Sequence, residues 1–329
     1  MRVIRLGTRG SALARWQSDH VAVRLAAVHP GLRVSVVEIS SAGDQITDVP
    51  LTQVEGTGFF TATIERALGA GDVDIAVHSY KDLPIDPTPG LTIAAVPERG
   101  PVEDVLCARD GLTLGTLPSG GRIGTCSSRR TAQILALRPD LAIESLRGNV
   151  PTRIARVTSG ELDAVVLARA GVTRLGLDAH VTEVLPAEHV LPAPAQGALA
   201  VQCRAEDRDI IEWLGALDDG PTRGAVCAER TLLHALRGGC LVPVGALARL
   251  VAGEYRLSAG VFGLDPARAV RIEARGLDPG ALGESAASRL LDGGAAEILT
   301  AFNRTARIQA PAASSTLMAG EPLRQEGLS

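Results

Sequence analysis

Short apolar runs alternate with helix-period segments through the first two hundred residues of the chain. Residues 3–6, 34–39, 74–78 and 91–96 read as strands, the third and fourth of them apolar enough to be buried. Ser11 is placed to cap a helix that runs to about residue 28 and closes at His29-Pro30-Gly31, and residues 59–68 read as a helix ending at Gly69. A strand–helix–strand rhythm of this kind predicts a mostly parallel sheet with helices on both faces.

The rhythm then repeats, with strands at 122–125, 143–146 and 162–167 and helices at 128–137 and 150–158. Leu191-Pro192-Ala193-Pro194-Ala195 reads as a stiff extended linker. The strand that follows at 198–202 is able to return to the first sheet and make that domain discontinuous. From Pro221 the character changes: one long helix to about 236, hairpin-like strands at 242–250, 255–262 and 269–275, and a helix over 282–302. The expected fold class is α/β, with two doubly wound domains and a small C-terminal α+β domain. The expected boundaries are 1–97 with 198–217, 98–197 and 218–304, and the Pro-, Ala- and Ser-rich stretch 305–329 has the composition of a disordered tail.

Composition narrows the function classes. Aromatic residues make up only 2% of the chain, so the core is built from Ala, Val, Leu and Ile, and stacking platforms for single-stranded nucleic acid are disfavoured. The net charge of -4 argues against a non-specific nucleic-acid binder. The start, Met1-Arg2-Val3-Ile4-Arg5-Leu6, has no signal-peptide pattern, and no apolar run reaches the length of a membrane span. Five scattered cysteines without a CxxC pair argue against a disulfide framework and a Cys-rich zinc site, so reduced thiols in the cytoplasm are expected. Of 33 Lys and Arg residues, only Lys81 is a lysine. A compact ammonium with a tunable pKa is what an arginine fork cannot replace, which makes Lys81 a candidate functional residue.

Three segments place an anion-friendly turn between a strand and a helix: Thr8-Arg9-Gly10-Ser11, Gly124-Thr125-Cys126-Ser127-Ser128-Arg129-Arg130, and Arg147-Gly148-Asn149 followed by Arg153 and Arg156. Helix starts offer unpaired N–H groups, and neighbouring arginines offer bidentate pairing to carboxylate or phosphate. Neither a P-loop nor a GxGxxG fingerprint is present, so carboxylates are at least as well served as phosphates. In Asp74-Ile75-Ala76-Val77-His78-Ser79-Tyr80-Lys81-Asp82-Leu83-Pro84 an apolar strand delivers donors and acceptors to a sheet edge, with separate roles expected for Lys81 and Asp82. Cys240, after Gly238-Gly239, sits on a tight turn suited to nucleophilic attachment, while Cys107, Cys203 and Cys227 read as packing residues.

Together these stretches, with Pro194-Ala195-Gln196-Gly197-Ala198 and Gly238-Gly239-Cys240-Leu241-Val242-Pro243, closely resemble the porphobilinogen deaminase (hydroxymethylbilane synthase) family over about residues 3–303. The resemblance implies two domains similar to two-lobed periplasmic binding proteins and a third that carries a dipyrromethane cofactor on Cys240. It implies a transferase that condenses four porphobilinogen molecules head to tail, releasing ammonia, to give hydroxymethylbilane. By the same resemblance Asp82 is the catalytic carboxylate. Lys81, Asp82, Ser127, Arg129, Arg130 and Arg153 contact the cofactor. Arg9, Ser11, Arg147, Arg153, Arg174 and Gln196 engage substrate and growing chain, Gln196 from near the hinge. No metal or nucleic acid is implied, and the expected state is a cytoplasmic monomer.

The chain departs from the family at Ser41-Ala42-Gly43-Asp44, where many members have Thr-Arg-Gly-Asp, and at Thr57, where many have Lys. It also has Cys126-Ser127-Ser128 before the two arginines where many members have Ser-Ser-Leu. A loop around Thr57 would therefore lack its positive charge. The alternative reading is a non-catalytic two-lobed protein that binds carboxylates or a tetrapyrrole, against which Cys240 and the third domain both count.

Overall fold

The computed structural model describes residues 2–39, 61–237, 242–263, 265 and 268–309. Its first sheet contains β1 (Arg2–Thr8), β2 (Leu32–Glu38), β3 (Ile75–Ser79), β4 (Leu91–Ala95) and β10 (Leu199–Arg204), in the order β2-β1-β3-β10-β4. β1 runs parallel to β2 and β3, whereas β10 runs antiparallel to both β3 and β4. β10 thus brings the chain back into this sheet between β3 and β4.

Alternation along these strands decides which helix each face receives. Ile75 and Val77 face α1 (Ala12–Val28) and α6 (Arg208–Gly215), whereas Ala76 faces α2 (Ala62–Ala70). Leu6 is fully buried in the first layer, so truncating it to Ala costs ~2–5 kcal/mol.

The second sheet repeats the plan in the order β7-β6-β8-β5-β9. Its strands are β5 (Asp104–Ala108), β6 (Arg122–Gly124), β7 (Ala142–Glu144), β8 (Ala164–Ala168) and β9 (Glu183–Leu185). Here β5 is the antiparallel strand. Leu106 and Val166 face α3 (Ser128–Leu137), and Val105 and Val165 face α4 (Val150–Thr158) and α5 (Arg169–Arg174). The chain crosses between the lobes twice, and the crossings bond to each other: Gly100 N–H donates to the Gly197 carbonyl at 3.2 Å. Gly197 lies at φ +85, and a Cβ there would meet the Pro101 and Gly100 carbonyls at 2.6 and 2.7 Å, so only glycine allows this approach.

The third unit packs α7 (Gly220–Ala235) and α8 (Pro279–Leu290) on one face of an antiparallel meander of β11 (Val244–Val251), β12 (Glu254–Phe262) and β13 (Ala269–Gly276). The other face of this sheet touches the second lobe through Leu247 and Phe262.

Several expectations need correction. The helix expected at 59–68 is α2, and it ends at Gly71, whose left-handed φ of +78 supplies the stop; the part of the expected span before residue 61 lies outside the described residues. The strand expected at 74–78 is Ile75–Ser79, and residues 80–82 after it form a 3-10 turn. The segment 191–195, expected as a stiff extended linker, is not extended throughout: residues 194–197 form a turn, and Leu191 and Ala195 are buried where the units meet. The final helix is two helices, α8 and α9 (Ala296–Gln309), separated by a widened turn Leu291–Ala295 in which Gly294 takes φ +98. α9 carries helix to Gln309, into the stretch expected to be a disordered tail, and residues 310–329 lie outside the described residues.

Candidate active site

Parallel strands bring the functional turns to the same edge of each sheet. In the first lobe β1 ends at Thr8 and β3 at Ser79. Arg9 and Ser11 therefore lie beside the turn Tyr80–Asp82. Ser11 Oγ caps α1 by accepting from Ala14 N–H at 3.3 Å, and buried Gln17 of that helix donates to Ser79 Oγ at 2.8 Å. In the second lobe Ser127 Oγ accepts from Arg130 N–H at 3.4 Å, and Asn149 Oδ1 accepts from Thr152 N–H at 2.9 Å. The lobes approach at these helix starts. A Cβ on Gly171 of α5 would touch Val150 of α4 at 3.5 Å and Leu13 of α1 at 3.6 Å.

Lys81 crosses this junction. Its half-buried ammonium donates to Gln196 Oε1 at 3.1 Å, and Gln196 Nε2 donates to Asp104 Oδ1 at 2.8 Å. Asp104, fully buried, pairs with Arg129 at 2.9 Å and Arg130 at 2.8 Å. Burial alone would raise the Asp104 carboxyl, but the two guanidiniums overcome that and hold it well below the carboxylate range. Burial lowers Lys81 to about 8; Asp82 opposes the shift, while Arg130 adds to it. Next to Lys81, Asp82 is exposed at the end of its turn.

Arg129 and Arg130 therefore point into the protein. Arg129 also donates to the Leu191 carbonyl and Arg130 to the Val166 carbonyl at 2.9 Å, and of the nitrogens of these two side chains only Arg130 Nε is buried without a hydrogen-bond partner among the described residues. Arg147 differs: its Nε and Nη2 are both buried and unpartnered among the described residues. A native protein rarely leaves two such donors empty, so Arg147 is poised for an acceptor the chain itself does not provide. Arg153 donates to the Gly148 carbonyl at 2.8 Å and approaches Cys126 Sγ at 3.8 Å. Arg174 donates to the Gly197 carbonyl at 2.7 Å and lies 5.7 Å from the Trp16 ring centroid, with burial lowering it to about 10. It thereby clasps the hinge and α1.

Three features were not anticipated from the sequence. Asp104 organises both arginines. Glu229 of α7, fully buried, forms a bidentate pair with Arg99 at 2.7 and 2.9 Å and accepts from Ala195 and Ala248 N–H, so one carboxylate ties the third unit to the hinge. His78 is buried against Gln202 at 3.1 Å, and burial lowers it to about 4, so it is neutral and structural. The signal available for the two carboxylates was an acidic residue inside an otherwise apolar strand or helix stripe. Cys240 and the departures at Ala42 and Thr57 lie outside the described residues.

Fold and site define a two-lobed α/β protein whose facing strand edges bear arginine-rich turns, joined to a third α+β unit. The model of the "Porphobilinogen deaminase, dipyromethane cofactor binding domain" family matches residues 4–212, and that of the "Porphobilinogen deaminase, C-terminal domain" family matches residues 224–292. Similar curated proteins include a porphobilinogen deaminase of Thermobifida fusca (strain YX), 52% identical, with 82% of this chain and 84% of that protein covered. Another, from Roseiflexus sp. (strain RS-1), is 46% identical, with 89% and 97% covered. The chain belongs to the porphobilinogen deaminase family. Among solved structures, a methionine binding protein is similar at a TM-score of 0.42 and 13% identity, over 65% of this chain and 89% of that one. The periplasmic VFT2 domain of Bordetella pertussis BvgS is similar at a TM-score of 0.40 and 13% identity, over 65% and 85%.

Proposed function

We propose that the turn Tyr80–Asp82 and the arginine-bearing helix starts of the two lobes form the site of this chain's reaction. The reaction is that of its family: four porphobilinogen molecules are joined head to tail, ammonia leaves at each step, and one water hydrolyses the bond that holds the finished chain, so that the linear tetrapyrrole leaves as hydroxymethylbilane. The buried, unpartnered guanidinium nitrogens of Arg147 carry the reading, because each pyrrole unit brings two carboxylate arms that such donors fit.

The donor set also suits the dipyrromethane cofactor of the family. Held through Cys240, it supplies the pyrrole carbon to which the first substrate unit is joined. Lys81 pairs with one carboxylate arm, with Ser127 and Arg153 beside it. Arg129 and Arg130 add charge from behind Asp104, with Arg130 Nε as the remaining donor. Arg9, Ser11, Arg147 and Arg153 receive the arms of substrate and growing chain, while Arg174 and Gln196 hold the hinge.

Asp82 does the chemistry. Loss of ammonia from porphobilinogen leaves positive charge on its methylene carbon. An exposed carboxylate at the turn accepts the pyrrole N–H, stabilises that charge and takes the proton released when the new carbon–carbon bond forms. The third unit, 218–304, presents the attachment point, and 1–97 with 198–217 and 98–197 form the walls. The chain works as a cytoplasmic monomer. No helix among the described residues is long and apolar enough to cross a membrane. Ammonia release from porphobilinogen by the purified protein tests the reading, and a protein that carries cofactor yet releases none contradicts it.

A further inference from the structure

Away from this site, the sheet of the third unit has an open face with an unusual charge pattern. Arg249 of β11 stands opposite Arg256 of β12, and Arg256 stands opposite Arg275 of β13, so three arginines line up across three strands. All three are exposed. Like charges directly opposite on a sheet repel. No hydrogen bond or ion pair joins any of the three to an acid among the described residues.

Arg249 also borders a cavity of about 230 Å³ between this face and the second lobe. Its apolar walls come from Ala187, Leu191 and Leu247. Its polar groups are Arg249, Arg271, Ser258, Glu188 and Glu273. Arg271 is held in place: it donates to the Glu188 and His189 carbonyls and to Gln133 Oε1, and lies 4.8 Å from the Phe262 ring centroid. Arg249 has no such ties.

We propose that this cavity binds a single pyrrole ring carrying carboxylate arms, as a second ligand site separate from the catalytic one. The volume lies below the about 300–1,000 Å³ of pockets for drug-sized ligands, so one ring fits. Two arginines against two glutamates do not select a simple anion. They select a molecule with both acceptors and donors: its carboxylates meet Arg249, its ring N–H meets Glu188 or Glu273, and its ring lies on the apolar wall. The ligand class rests on the proposed function. Leu191 connects the cavity to the catalytic region, since its carbonyl accepts from Arg129.

The test is hydrogen exchange on the cofactor-loaded protein with a pyrrole dicarboxylate that lacks the aminomethyl leaving group. Exchange is expected to slow over 187–191 and 247–259. Arg249→Glu should weaken this binding ~10-fold or more. It breaks up a like-charge row on an exposed strand, so it keeps the fold, with an unchanged or higher melting temperature. Ser258→Trp fills the cavity without changing charge and should also remove the protection. Protection that is absent, or that survives either substitution, overturns the proposal. A linear oligopyrrole polycarboxylate with Arg256→Gln separates two sources of the same chemistry: weaker oligomer binding assigns the arginine row to further arms, and unchanged binding confines the ligand to one ring. Ammonia release in the same variants reads the catalytic function independently. It should stay at the wild-type level, and its absence from wild type would remove the proposed function while leaving the exchange result to be judged alone.

Discussion

Two aspartates flank Lys81 and have opposite fates. Asp104 is fully buried, carries two guanidiniums and accepts from Gln196. Asp82, adjacent to the lysine in sequence, is exposed at the end of a short turn. A carboxylate whose partners are all supplied by the fold holds the fold together. One with its lone pairs turned outward is available to a ligand. Proximity to Lys81 does not tell them apart; the number of internal donors does.

Mutation at the two positions should separate chemistry from stability. Asp82→Ala is expected to slow ammonia release ~10²–10⁴-fold, while its unfolding free energy stays within ~0.5 kcal/mol of wild type. Asp104→Ala leaves two buried guanidiniums without a counter-charge and should cost ~3–5 kcal/mol, read from the denaturant midpoint. If Asp104→Ala melts like wild type, the buried ion cluster has been misjudged.

A smaller effect is expected at Lys81 itself. Lys81→Arg keeps the charge but loses the compact donor to Gln196, and should reduce turnover about tenfold, less than any change at Asp82. The reverse order would mean that the roles of the two neighbours are exchanged.

The remaining effects are pH dependences, and their signs follow from burial. A carboxylate ligand favours charged Lys81, so ligand affinity should be level below pH about 8 and fall above it, and Lys81→Arg should abolish the fall. His78 is lowered from 6.5 to about 4, so between those values the unfolded chain binds the extra proton. Stability should drop as pH falls through that window and level off below it, and His78→Gln should flatten the profile in acid denaturation.

Much of this contrast is legible in the sequence. The helix limits at Ser128–Leu137 and Val150–Thr158 follow from their caps, Ser127 and Asn149, because capping is local chemistry. The positions of Lys81, Asp82 and Arg147 at strand-end turns follow from the strand–helix rhythm. What was hidden depends on partners far away in sequence: Arg99 and Glu229 are 130 residues apart, and Gln196 and Asp104 are 92 apart. A short strand such as Glu183–Leu185, and the break at Leu291–Ala295, are likewise fixed by packing rather than by a local signal. That is why Arg129 and Arg130 read as ligand groups in the sequence and turn out to be engaged by an internal acid.

The central claim is that a chain of pyrroles grows on this protein and that Asp82 drives its growth. Intact-protein mass after addition of a few equivalents of porphobilinogen tests it most directly. Wild type should start two pyrrole units heavier than its sequence and climb in single pyrrole steps, Asp82→Asn should not climb, and Cys240→Ser should carry no added mass. A wild-type chain at its bare sequence mass, or an Asp82→Asn ladder that matches wild type, would contradict the account.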